Sequence, residues 1–64
     1  MLTLGQKELI YSAWSYADDE DKSTEWAIQY ASDLANVEYD DVVDFITSDE
    51  FSVGYQNYCE NLEE

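Results

Sequence analysis

Arginine, histidine and proline are absent from this chain, and its 64 residues hold only two lysines, two glycines and one cysteine. Each absence removes a class of function. Without histidine there is no ordinary imidazole base, and without arginine there is no bidentate clamp for a phosphate. Gly5 and Gly54 lie far apart and make no phosphate-cradling loop. Paired carboxylates such as Asp40 and Asp41 do acid/base work only in a cleft that raises one pKa, and a domain this small has little room for one. No enzymatic activity and no cofactor are therefore expected. The lone Cys59 excludes an intramolecular disulfide and a thiolate zinc site. Its expected role is that of a small buried apolar residue in a reducing compartment.

Long apolar runs are missing too. None approaches the roughly 18 residues that a membrane span needs. The opening "MLTLGQKELIY" lacks the basic region and long apolar run of a signal peptide, so a cytoplasmic protein is expected.

Acid is what the chain has in abundance. Sixteen Asp and Glu face two Lys, for a formal charge of −14. Such a chain has no basic footprint for nucleic acid or for an anionic membrane, since both require Lys and Arg, and its expected partners are basic. Disorder does not follow from the acidity. Aromatics reach 16%, with six Tyr, two Trp and two Phe, whereas acidic disordered segments are poor in them. One ordered domain over residues 1–64 is expected, with marginal stability, because a chain this short buries only about 60% of its unfolded surface.

Apolar residues recur at helical spacing almost throughout. Leu9, Ile10, Ala13, Trp14 and Ala17 make a stripe, and Thr3 followed by Gln6 reads as a capping box, which places a helix near residues 4–17. The acid run Asp18, Asp19, Glu20 and Asp21 is then a connection. Ser23 or Thr24 can cap a second helix with Glu25 in its first turn, a stripe of Ala27, Tyr30, Ala31 and Leu34 beside Trp26, and Asn36 as its stop. Residues 38–47 are rich in strand formers, but Tyr39, Val42, Val43 and Ile46 sit at helical spacing and no partner strand is evident, which favours a short helix. Ser48 looks like the cap of a last helix, with Asp49 and Glu50 in its first turn and Phe51, Tyr55, Tyr58 and Leu62 on its apolar face. Gly54 falls inside it, at a cost of about 1 kcal/mol relative to Ala. The expected fold is all-α, a compact mini-domain of three or four short helices.

A metal loop is the first use to test for the acid run. A helix–loop–helix calcium loop needs oxygen ligands at positions 1, 3 and 5, Gly at 6 and Glu at 12. Starting at Asp19 puts Thr24 at 6 and Tyr30 at 12; starting at Asp18 puts Lys22 at 5 and Gln29 at 12. Both registers fail, and no specific metal site is expected.

Binding through charge remains. Asp18, Asp21 and Glu25 lie three and four residues apart, as do Glu38, Asp41 and Asp44, and Glu60 with Glu63 or Glu64. On one helix face each such like-charged pair costs a few tenths of a kcal/mol. An ordinary solvated face intersperses lysines and avoids this. Their scarcity follows directly if the negative field itself is used. Rows of carboxylates are a rough stand-in for phosphates, and Tyr16, Tyr39, Tyr55 and Tyr58 between them offer amphipathic contact area or core-edge packing. The candidate partner-binding residues are Asp18, Asp19, Glu20, Asp21, Glu25, Glu38, Asp40, Asp41, Asp44, Asp49 and Glu50.

In size, charge and helical character the whole chain resembles the small acidic DNA-mimicking inhibitors of phages, of the anti-CRISPR and antirestriction type. No shared motif carries the likeness. It implies a non-enzymatic inhibitor in the host bacterial cytoplasm that occludes the basic DNA-binding surface of a CRISPR effector or restriction enzyme. Bacteriocin immunity proteins, which hold one basic nuclease with acids and tyrosines, are also similar. An acidic adaptor domain without mimicry is the third alternative, and pairing of two copies is left open.

Overall fold

The computed structural model of the protein describes residues 2–62, with side chains for residues 2–61. Four helices follow in order: α1 (Leu4–Asp19), α2 (Thr24–Ala35), α3 (Tyr39–Ile46) and α4 (Asp49–Leu62), and the described residues contain no strand. The fold is all-α, as the spacing predicts. Leu62 as a face residue and the pairing of Glu60 with Glu63 or Glu64 lie outside the described side chains.

Short polar residues start three of the helices. Thr3 Oγ1 accepts from the Gln6 N–H at 3.1 Å while the Thr3 N–H donates to Gln6 Oε1 at 2.9 Å, the reciprocal box expected. Ser23 Oγ accepts from Trp26 N–H at 3.2 Å and Ser48 Oγ from Phe51 N–H at 3.4 Å. Glu38 precedes α3 without a capping hydrogen bond from its side chain. Asn36 stops α2 in the left-handed region at φ 58°, with the Val37 N–H donating to Ser32 O at 3.0 Å.

The strand formers of residues 38–47 are helical because that arrangement buries one side of the segment. Val42 and Phe45, three residues apart, are buried while Asp40, Asp41 and Asp44 face solvent. Alanines at 13, 17, 27, 31 and 35 are all buried, which lets α1 and α2 approach closely and share most of the helix–helix contact. The same core cluster has an aromatic part. The Tyr11 ring lies 5.7 Å from Phe45, 5.7 Å from Phe51, 5.8 Å from Tyr58 and 6.3 Å from Tyr55. Each such pair contributes about 0.5–1.5 kcal/mol beyond area burial.

Parts of the expected stripes are corrected. Leu9 is 40% exposed, Leu34 41% and Tyr39 39%, whereas Tyr11, Ile28, Ala35 and Phe45 are buried. A single stripe per helix assumes one neighbour. Here α1 has to face α2 on one side and the aromatic cluster on another, so its buried arc is broader and rotated away from Leu9. Cys59 is half-buried rather than a core residue.

Gly54 has a packing reason. A Cβ there would stand 2.1 Å from Tyr11 Oη and 2.8 Å from Tyr11 Cζ, so its missing side chain sets how near α4 comes to α1. Tyr11 is hemmed in by four rings and has little room to yield. Gly54→Ala gains about 1 kcal/mol of helix propensity but incurs an overpacking penalty of about 1–3 kcal/mol. The expected result is a lower urea midpoint for Gly54→Ala, partly restored when Tyr11→Phe removes the nearest atom. A midpoint that rises in the single variant would show that the ring moves freely.

Candidate functional site

The acid run is a helix end, not a free connection. Asp18 and Asp19 are the last two residues of α1, which runs two residues beyond its expected end. The Lys22 N–H donates to Ala17 O at 2.8 Å and the Asp21 N–H to Asp18 O at 3.2 Å, with Asp21 left-handed at φ 57°. These two bonds are those of a Schellman close, with Asp where glycine is usual. Because the helix stops at Glu20 and α2 begins at Thr24, Asp18, Asp21 and Glu25 do not form a row on one helix, as spacing alone implies. The turn folds Asp21 back against Asp18 instead. Glu38, Asp41 and Asp44 are in helical register along α3 and all three are exposed.

The helix dipole divides eight of the eleven candidate acids into two groups, with Glu20 and Asp21 in the turn after α1 and Glu38 just before α3. Glu25, Asp40, Asp41, Asp49 and Glu50 occupy first turns, where a carboxylate is stabilising by about 0.3–1 kcal/mol. Asp18, Asp19 and Asp44 sit in last turns, where it is destabilising by a similar amount, and no described helix has a basic residue in its last turn. Asp33, in the last turn of α2, joins them and is not among the residues singled out from spacing. Its signal was the absence of a lysine near the end of α2.

Both lysines are engaged within the chain. Lys7 pairs with Glu50 and lies 5.9 Å from the Phe45 ring centre, and Lys22 sits 5.3 Å over Trp26. The Lys7–Glu50 contact is the one ion pair among the described residues. It borders an open groove of about 450 Å³ with Leu2 and Phe45 on its floor, which brings together Asp41, Asp44 and Glu50 from α3 and α4. A second recess, of about 170 Å³, is lined by Trp26, Gln29, Tyr30 and Asp33. Among the described residues no three carboxylates or thiols converge closely enough to hold a metal ion, so the charge is spread over the surface. Of the four candidate tyrosines, Tyr16 and Tyr39 are exposed while Tyr55 and Tyr58 pack on the core edge. No described helix is long and apolar enough to cross a membrane.

Tyr55 stacks on Phe51 at 5.3 Å and 7°, and its phenol is pushed up to about 12, chiefly by burial, then by Cys59 and the negative Asp18, with Ser15 opposing. Burial likewise raises Tyr11, helped by Glu50 and Glu8 against Lys7.

The chain matches no protein-family model, no curated protein and no solved structure.

Two measurements check this electrostatic account. Asp18→Asn, Asp19→Asn and Asp21→Gly should each stabilise the fold by about 0.3–1 kcal/mol at low salt, read as a rise in Tm of a few degrees. The gain of the two asparagine replacements should shrink as ionic strength rises from about 20 to about 500 mM, where the Debye length falls well below 10 Å, whereas the backbone part of the Asp21→Gly gain should persist. Unfolded tyrosine ionises near pH 10 while folded Tyr55 holds its proton to about 12. Over that window the unfolded state binds fewer protons, so stability present below pH 10 is lost as pH rises. The urea midpoint should therefore fall between pH 10 and 12, alongside the phenolate absorbance.

Proposed function

We propose that this protein is a non-enzymatic inhibitor that imitates the charge of a nucleic acid and occludes the basic DNA-binding surface of a bacterial defence complex, a CRISPR effector or a restriction enzyme. The observation that carries the proposal is the placement of Asp18, Asp19, Asp33 and Asp44 in last turns, where they oppose stability, with no basic residue in any of those turns. A surface tuned only for solubility gains as much from acids at helix starts, where they also support the fold. Charge density points the same way. The described residues span 31 Å along the longest axis and hold 14 acids against two lysines, a formal charge of −12. Duplex DNA presents about 18 phosphate charges over that length, at one per 1.7 Å. Lysine and arginine side chains arranged for a duplex therefore meet a similar field on a folded, rigid body.

The mechanism needs no chemistry. The protein fills the groove and releases the counterions a duplex would release, and nucleic acid is excluded by occupancy. Binding to such a partner should fall by about a hundredfold or more between about 50 and 200 mM salt, and duplex DNA should compete. Joint replacement of Asp18, Asp19 and Asp21 by Asn should weaken binding while the helical circular dichroism persists. Capture of bacterial proteins by the immobilised chain checks this. Binding that ignores both DNA and the triple replacement would overturn the proposal, and inhibition of one nuclease alone would favour the immunity-type alternative.

A further inference from the structure

Two of the three exposed aromatic residues, Tyr16 and Trp26, stand together with the half-buried Tyr30, while the third, Tyr39, is on α3. Tyr16 from α1 and Trp26 and Tyr30 from α2 form one cluster on the outer side of the helix pair. Their ring centres are 6.1 Å apart for Tyr16–Trp26, 5.4 Å for Tyr16–Tyr30 and 5.1 Å for Trp26–Tyr30. Tyr16 is 49% exposed and Trp26 36%, so about 1.5–3 kcal/mol of potential burial per ring is left partly unused by the fold. Asp18, Asp19 and Glu25 are neighbours of these rings in the chain, and the 170 Å³ recess between Trp26 and Tyr30 has the Asp33 carboxylate and the Gln29 amide on its rim.

One cation already uses this face. The Lys22 ammonium stands 5.3 Å over the Trp26 ring although acids lie on either side of it in the sequence. Trp is the strongest cation–π acceptor among side chains, and the recess beside Trp26 and Tyr30, which Lys22 does not line, is open to a partner's cation. A planar guanidinium fits better than an ammonium. It stacks on an indole, is more weakly hydrated, and can direct its fork of N–H donors to a carboxylate in the same plane. Trp26 and Tyr30 supply faces and Asp33 supplies the carboxylate.

We propose that the Asp33-lined recess between Trp26 and Tyr30, with Tyr16 beside both rings, is the docking site for an arginine side chain of the basic partner protein. The site rests on the basic-partner reading above and adds selectivity to it. A bare negative field does not distinguish arginine from lysine, whereas aromatic faces beside a carboxylate do. Aromatic anchors ringed by polar groups are also where protein interfaces concentrate their binding energy.

Calorimetric titration of the intact protein with nona-arginine and nona-lysine peptides at low salt separates these elements. The expected result is about fivefold tighter binding of the arginine peptide. Trp26→Leu should bring the two affinities together by weakening the arginine peptide more than the lysine peptide. Asp33→Asn keeps the shape of the recess and should reduce the preference in the same direction, which covers the case in which Trp26→Leu fails to fold. Equal affinities in the unaltered protein, or a preference that survives both replacements, overturn the docking site but leave the basic-partner reading standing. Binding of neither peptide overturns both.

Discussion

The fold depends on one buried ring. Tyr11 of α1 is within 6.3 Å, centre to centre, of two rings each from phenylalanine and tyrosine residues of α3 and α4, and those contacts hold the second half of the chain to the first. Helices of 8 to 16 residues are marginal alone, so the aromatic cluster is what makes them persist. A core this small leaves about 4500 Å² accessible, slightly more than the roughly 4200 Å² typical of a folded chain of this mass. Gly54 belongs to the same device, since only an absent side chain lets α4 come within reach of the Tyr11 hydroxyl.

Against that modest core stands a surface of one sign. The two halves of the molecule divide the work. The aromatic cluster shared by α1, α3 and α4 centres on the buried Tyr11, Phe45 and Phe51, while the second aromatic group on α1 and α2 leaves Tyr16 and Trp26 exposed beside the densest run of acid. Where carboxylates begin helices they support the fold; where they end them they weaken it. A protein that tolerates the second kind, with 14 more acids than bases, sustains a field that its own folding does not require.

Much of this was legible from residue order. The caps at Thr3, Ser23 and Ser48, the stop at Asn36 and the helical state of residues 39–46 follow from local chemistry, which acts within a few residues and needs no tertiary knowledge. Which face is buried was less legible. Tyr11, Ile28 and Phe45 are inside because of partners far along the chain, and periodicity within one helix cannot say that α1 has two neighbours. The acid row from Asp18 to Glu25 breaks for a related reason: three- and four-residue spacing describes a face only while the helix continues, and a left-handed aspartate ends it.

Asp21 limits what can stand at its position. At φ 57° bulky or β-branched residues are strained, and the types that adopt this region readily are glycine, asparagine and aspartate. Glycine gives the easiest turn, and asparagine, used by the same chain at position 36, gives nearly the same one without charge. Of the three only aspartate is ionised. Position 21 thus has a repertoire in which backbone ease and negative charge exclude one another, and the chain holds the one member that keeps the charge.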